Sequence, residues 1–175
     1  PGILQQDIEF FKELLYVSDL RGGHGTGILQ GATYSNYKRY LMHKSVSDAS
    51  YFIWYHTKSN QGNKDLMDGV SNNFFIGHVR YATKGEVNDQ NAHPFEFSKI
   101  IGVHNGTLKD KKYESKEKTD SEMFFKDIDE RGILPVLQEL DKESAYAIIV
   151  YDKKNGHISL ARNDKRPMWV CVHNK

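Results

Sequence analysis

Apolar positions recur at three- and four-residue spacing from Gln5 to Leu20. Ile8, Phe11, Leu14-Leu15 and Ser18 share one face, with Gln, Asp, Glu and Lys between them. That period predicts an amphipathic helix. Arg21-Gly22-Gly23 follows as a glycine-rich terminator. Gly25-Thr26-Gly27-Ile28-Leu29 then begins a strand, and Tyr34–His43 holds a candidate for a second. Ser50–Tyr55 fits a helix or an extended segment equally, and Asn60–Asp65 reads as a polar loop. Phe74-Phe75-Ile76 and Lys99–Val103 are short apolar runs of the kind buried strands carry.

Thr119-Asp120-Ser121-Glu122 reads as a helix start, with Thr119 capping and a glutamate three residues on. Met123–Ile128 continues that helix, and Ile133–Leu140 is a further helix or its broken second half. Tyr146–Tyr151 and His157–Arg162 are strands joined by Asp152-Lys153-Lys154-Asn155-Gly156, where Asn-Gly signals a hairpin. Many strands with two or three helices in blocks predict an α+β fold with mostly antiparallel sheets.

Each short apolar run ends in a polar cluster. Phe74–Ile76 leads into Gly77-His78-Val79-Arg80, and Ile100–Val103 into His104-Asn105-Gly106. Two such endings suggest a shared cleft at a sheet edge. The chemistry that fits is recognition of a small zwitterion. Arg80 can fork onto a carboxylate, and Asn105 with the N–H of Gly106 can hold a developing oxyanion.

Composition narrows the alternatives. The 175 residues make one domain by length, with 27% charged and 38% hydrophobic positions. A net charge of +1 gives no global case for nucleic acid or an acidic membrane. Lys109–Lys118 interleaves its lysines with Asp110, Glu114 and Glu117 and reads as a solvated loop. No apolar run approaches the ~20 residues of a membrane-spanning helix. Cys171 is the only cysteine, so no internal disulfide exists, which is compatible with a reducing, cytoplasmic setting. The eight histidines lack ligand spacing, so no metal is expected. The loop Arg21–Gly27 lacks the Gly-Lys-Ser/Thr ending of a phosphate loop and follows a helix instead of opening one.

Four segments, GHVRYATKG, NAHPFEF, IIGVHNGTL and TDSEMFFKDI, occur in that order. Together they resemble the glutaminase domain of class II glutamine amidotransferases, which are N-terminal-nucleophile hydrolases. The resemblance runs from about Asp7 to Met168. It implies a four-layer αββα sandwich and hydrolysis of glutamine to glutamate and ammonia, with no cofactor. The implied partners are glutamine and an ammonia-accepting synthase domain or subunit.

The resemblance also implies residue roles. Arg80, with Tyr81 and Thr83, would clamp the α-carboxylate of glutamine, and Asp120 would bind its α-amino group. Asn105 and Gly106 would form the oxyanion hole. His93 and Arg21 would support the site, and His78 and His104 would pack or hydrogen-bond. One departure stands out: His24 occupies a position where the family usually has aspartate.

The mechanism needs an N-terminal cysteine as nucleophile, and this chain begins Pro1-Gly2-Ile3. Cys171 lies in an apolar, strand-like run, Met168–Val172, and is expected to be buried and inert. Two explanations stand. Residues 1–175 are a single glutaminase-like domain truncated at both ends, lacking its first strand and C-terminal strands, so that this chain alone is inactive. Alternatively, the domain is a catalytically dead homologue that binds an amino acid or a protein. An amidohydrolase with no ammonia acceptor is a third reading.

Overall fold

A computed structural model describes residues 3–34, 37–59, 61–62, 66–67, 72–82, 85–115 and 118–171. The chain divides into two compact units, residues 1–95 and 96–175. Both combine helices with antiparallel strands, as the α+β expectation has it.

The first unit holds helix α1 (Gln5–Asp19), strands β1 (Gly25–Tyr34) and β2 (Tyr37–Ser45), helix α2 (Ala49–Thr57) and strand β3 (Phe74–Arg80). Its sheet has the order β2-β1-β3. Both pairings are antiparallel, with Thr26 opposite Ser45 and Gly25 opposite Arg80. Helix α1 opens with Asp7 accepting the N–H of Leu4 at 2.9 Å, which satisfies a donor that the helix leaves unpaired. Helix α2 is capped by Asp48, whose Oδ1 accepts the N–H of Tyr51 at 2.7 Å. That cap resolves the ambiguity at Ser50–Tyr55 in favour of a helix.

The core of this unit gathers Ile8 and Leu15 of α1, Ile28 of β1 and Phe52 and Ile53 of α2, with Phe11, Phe75 and Val79 packed against them. The predicted apolar face of α1 is rotated from expectation. Leu14 is 50% exposed, as are Phe10 and Val17 to similar degrees. Ile8 and Leu15, one heptad apart, carry the packing. The predicted loop Asn60–Asp65 lies mostly outside the described residues.

The second unit contains β5 (Ile100–Thr107), a short 3-10 turn (Lys111–Tyr113), helices α3 (Asp120–Arg131) and α4 (Ile133–Glu139), and strands β6 (Ala145–Asp152) and β7 (Ile158–Arg162). The two-residue strand β4 (Phe95–Glu96) borders β5 in the order β4-β5-β6-β7. Asn105 stands opposite Ala147, and Gly106 opposite Tyr146. Phe124, Phe125, Ile128 and Val136 of the helices are buried, as are Ile101, Val103, Ile148 and Val150 of the strands. The β6–β7 turn uses Asp152, whose Oδ1 accepts the N–H groups of Lys154 and Asn155, and Gly156 adopts a φ of +73°.

Several expectations are corrected. The polar clusters do not follow their strands. β3 runs through Arg80 and β5 through Thr107, because each residue has a register partner across the ladder. The strands belong to different sheets, and β5 is an interior strand, not an edge. The segment Lys109–Lys118 is not wholly solvated. Tyr113 is 2% exposed, and its hydroxyl donates to Asp127 at 2.8 Å. Residues 168–171 form no strand, and Cys171 is exposed.

Candidate functional site

In the first unit Arg80 closes β3 and is buried, at 6% exposure. A buried guanidinium requires acceptors. Its Nη1 donates to the carbonyl of Glu86 at 3.0 Å. The same carbonyl accepts Asn91 Nδ2 at 3.0 Å, and the N–H of Asn91 donates to Asn88 Oδ1 at 2.9 Å. Asn91 is itself buried. Its amide thus draws residues 86–91 onto the arginine, a role that no local pattern in the sequence signals.

His24 holds the chain just beyond Arg80. Its N–H donates to the carbonyl of Arg80 at 2.9 Å, and its Nδ1 accepts the N–H of Ala82 at 3.0 Å. An accepting Nδ1 carries no proton, so the neutral ring holds its hydrogen on Nε2. The imidazole stacks on Tyr81 with centroids 5.1 Å apart. An aspartate here could accept the same N–H but would give Tyr81 no ring to stack on. Tyr81 is 59% exposed. Thr83 lies outside the described residues. Arg21 is exposed in the turn after α1, where its N–H donates to the carbonyl of Ser18 at 3.3 Å.

His93 is buried, stacked on His78 at 4.0 Å and edge-on to Phe95 at 4.6 Å. Its carbonyl lies against the Cα of Gly27 on β1, where any Cβ would collide with it. Glycine at 27 is therefore a packing requirement set by the loop that carries His93.

In the second unit alternation along β5 separates two functions. Gly102, packed on Phe125, and His104, bonded to Ser121, face α3. Asn105 points to the opposite face and is exposed. Asn105 and Gly106 lie in paired strand, not in a turn.

Asp120 is the first residue of α3, where the helix dipole favours a carboxylate. Thr119 serves as the cap, its Oγ1 accepting the N–H of Glu122 at 3.2 Å. The Glu122 carboxylate pairs with Lys118 at 2.5 Å. Asp120 is half-buried. Its Oδ2 accepts the N–H of Leu108 at 3.2 Å, and its Oδ1 accepts the N–H of Ser121 at 2.8 Å.

His104 completes the network. Its Nδ1 lies 2.8 Å from Ser121 Oγ, and its Nε2 lies 3.4 Å from the carbonyl of Ala145. A carbonyl only accepts, so Nε2 carries the hydrogen and Nδ1 accepts a hydrogen bond from the Ser121 hydroxyl. Burial pushes the imidazole down to about 4, against the opposing pull of the Asp120 charge and the Ala145 carbonyl. At neutral pH it is uncharged. The structure thus brings His104, Asn105, Gly106 and Asp120 into one bonded framework. Ser121, a member of that framework, was not among the residues singled out from sequence; only its place in Thr-Asp-Ser-Glu hinted at it.

Among the described residues no helix is long and apolar enough to cross a membrane.

Residues 65–148 match the family described as glutamine amidotransferases class-II. The glutamine–fructose-6-phosphate aminotransferase (isomerizing) of Clostridium acetobutylicum is 36% identical over 131 residues, 65% of this chain and 21% of that protein. The enzyme of the same name from Sulfolobus acidocaldarius is 37% identical over 131 residues, 64% of this chain and 22% of its own length. That of Clostridium perfringens is 37% identical over 117 residues, 57% of this chain and 19% of its own. The chain thus spans about a fifth of the length of the curated relatives it matches.

Proposed function

From the premise that this chain belongs to the class II glutamine amidotransferase family, we propose that it forms the body of a glutaminase domain. Glutamine is the substrate, and glutamate and ammonia are the products. The expected arrangement is a single glutaminase-like domain with a four-layer αββα sandwich, working in a cytoplasmic setting. The observation that carries the reading is the framework of the second unit. There an acid at a helix start and an Asn-Gly pair on a strand are held by shared hydrogen bonds through His104, Ser121 and Leu108.

Each residue has a stated part. Arg80 pairs with the α-carboxylate of glutamine, aided by Tyr81 and Thr83, and Asp120 pairs with the α-ammonium. A guanidinium for the carboxylate and a carboxylate for the ammonium select an amino acid over a simple amide. Asn105 Nδ2 and the N–H of Gly106 donate to the oxyanion that forms when a nucleophile attacks the side-chain carbonyl. His93 and Arg21 have supporting roles.

The reaction requires a cysteine nucleophile. Its thiolate adds to the amide carbon, the C–N bond breaks and ammonia leaves with a proton, forming a γ-glutamyl thioester. Water then adds to the thioester, releasing glutamate and restoring the thiol. Ammonia passes to a synthase domain or subunit. The relatives' names supply one model of such an acceptor, fructose 6-phosphate.

The test is glutamate release from glutamine by the intact protein, beside its Asn105→Ala variant. The reading expects release by the parent and a kcat lower by about 10²–10³-fold in the variant. Equal release by both would remove the oxyanion assignment, and none by the parent would remove the activity.

A further inference from the structure

His104 is nine-tenths or more buried, uncharged, and lies on the face of β5 away from Asn105. It makes no hydrogen bond to a position assigned to substrate, yet it links β5 and α3, the two elements of this unit that carry such positions, and bonds to β6 beside them. Through Nδ1 it receives the hydroxyl of Ser121, the residue after Asp120. Through Nε2 it donates to Ala145 on β6, the register neighbour of Thr107. The same Nε2 would stand 2.6 Å from a Cβ built on Gly106, so the ring edge lies directly under that glycine. Phe124 of α3 packs beside the ring at 5.8 Å.

We infer that the His104–Ser121 pair is the positioning element that sets Asp120 and the Asn105–Gly106 peptide at a fixed separation. The inference rests on the glutaminase reading and adds two residues to it. The physical reason lies in what else could hold these parts. Asp120 is tied to the end of β5 by one backbone bond, from Leu108. That bond fixes the carboxylate to the chain two residues beyond Gly106, and Asp129 Oδ1, which accepts the N–H groups of Lys99 and Ile100, holds the far end of α3 to the start of β5. A second tie at the first turn, from Ser121 to a ring seated under Gly106, fixes the orientation of the turn that carries Asp120. Ligation of glutamine at its ammonium end and stabilisation of charge at its side-chain end then occur in one rigid piece, which is what orientation-dependent catalysis requires.

The requirement is directional. The ring must accept at Nδ1 and donate at Nε2 at once. Only the neutral tautomer does both, and the surrounding groups enforce it. Burial, with the Arg166 charge, opposes protonation of the neutral imidazole and outweighs the Asp120 carboxylate and the Ala145 carbonyl, which favour it. Asparagine places its amide near the Nδ1 position and can keep the serine bond. Glutamine reaches toward Nε2 and keeps the Ala145 bond instead.

The experiment uses the intact protein and three variants, Ser121→Ala, His104→Asn and His104→Gln, with steady-state kinetics on glutamine and thermal unfolding in parallel. The inference expects Ser121→Ala and His104→Gln to lower kcat about tenfold or more and to raise KM for glutamine severalfold. His104→Asn should recover most of kcat, because it restores the serine acceptor. A purely structural pair would lower the unfolding temperature while the folded fraction kept the parent's kcat and KM, and that result would overturn the inference. Parental kinetics in Ser121→Ala would overturn it equally. An intact parent that releases no glutamate removes the glutaminase reading and the inference with it. A working parent with unaffected variants removes the inference alone.

Discussion

Asp120 Oδ2 accepts the backbone N–H of Leu108, at 3.2 Å across twelve residues of chain. One carboxylate therefore joins the start of α3 to the end of the strand that carries Asn105 and Gly106. Its other oxygen is engaged by Ser121. A substrate ammonium would meet a carboxylate whose direction is already set, so little ordering is needed on binding.

Asp120→Asn tests that carboxylate. The amide keeps an oxygen for the Leu108 N–H but loses the charge. In the intact protein KM for glutamine should rise on the order of ten- to hundredfold, the range for a lost charged hydrogen bond of about 1.5–3 kcal/mol. Unfolding by urea should show little change. Isothermal titration with glutamine and initial-rate kinetics check both parts.

Arg80→Lys keeps the charge and removes the fork. Lysine can replace neither the planar pair of donors nor the tie to the Glu86 carbonyl from the same geometry. KM should rise at least about tenfold, consistent with a lost charge-assisted pair. A substrate analogue lacking the α-carboxylate should bind parent and variant alike. If the variant discriminated against that analogue as strongly as the parent does, the clamp would lie elsewhere.

Gly27→Ala puts a methyl group into the carbonyl of His93. The neighbour is backbone, so it cannot swing away as a side chain would. Overpacking of this kind costs about 1–3 kcal/mol, read as a lower urea midpoint with unchanged slope. Gly102 would serve less well as a test, because the Phe125 ring beside it can shift.

His104 makes stability depend on pH. Its ordinary value is 6.5, and burial lowers it to about 4 in the folded protein. The unfolded chain therefore takes up a proton as pH falls through 6.5, while the folded chain does not until about 4. Stabilisation from this group is complete above 6.5 and is lost progressively between 6.5 and 4. Urea unfolding at a series of pH values should show that loss in the parent, and His104→Asn should flatten this part of the profile.

Much of the fold was legible because its signals are local. The period in Gln5–Leu20, the cap at Thr119 and the Asn-Gly turn at 155–156 each depend on a few neighbouring residues, and each corresponds to an observed element. Helix α2 was ambiguous from its apolar run, and the deciding signal, Asp48 as cap, lay just outside the run considered. The rotated face of α1 was not legible, since spacing alone does not say which side meets the sheet. Cys171 was misjudged for a related reason. An apolar run is buried only if another element covers it, and the cysteine is exposed.

The site divides in the same way. Arg80, Asn105, Gly106 and Asp120 stand in short motifs with strong chemical character, so they could be proposed as site residues from sequence. Asn91 and Ser121 act through partners five and seventeen residues away, Glu86 and His104. His24 stands where an acid is expected, and it accepts the N–H of Ala82.

The central claim is that this chain is the body of a cysteine-dependent glutaminase. The most direct measurement is mass spectrometry of the intact protein after exposure to a diazo-ketone analogue of glutamine, with and without excess glutamine. The account predicts one adduct, on a cysteine other than Cys171, suppressed by glutamine and greatly slowed in Asn105→Ala. No adduct, or an adduct confined to the exposed Cys171 and indifferent to glutamine, would contradict it.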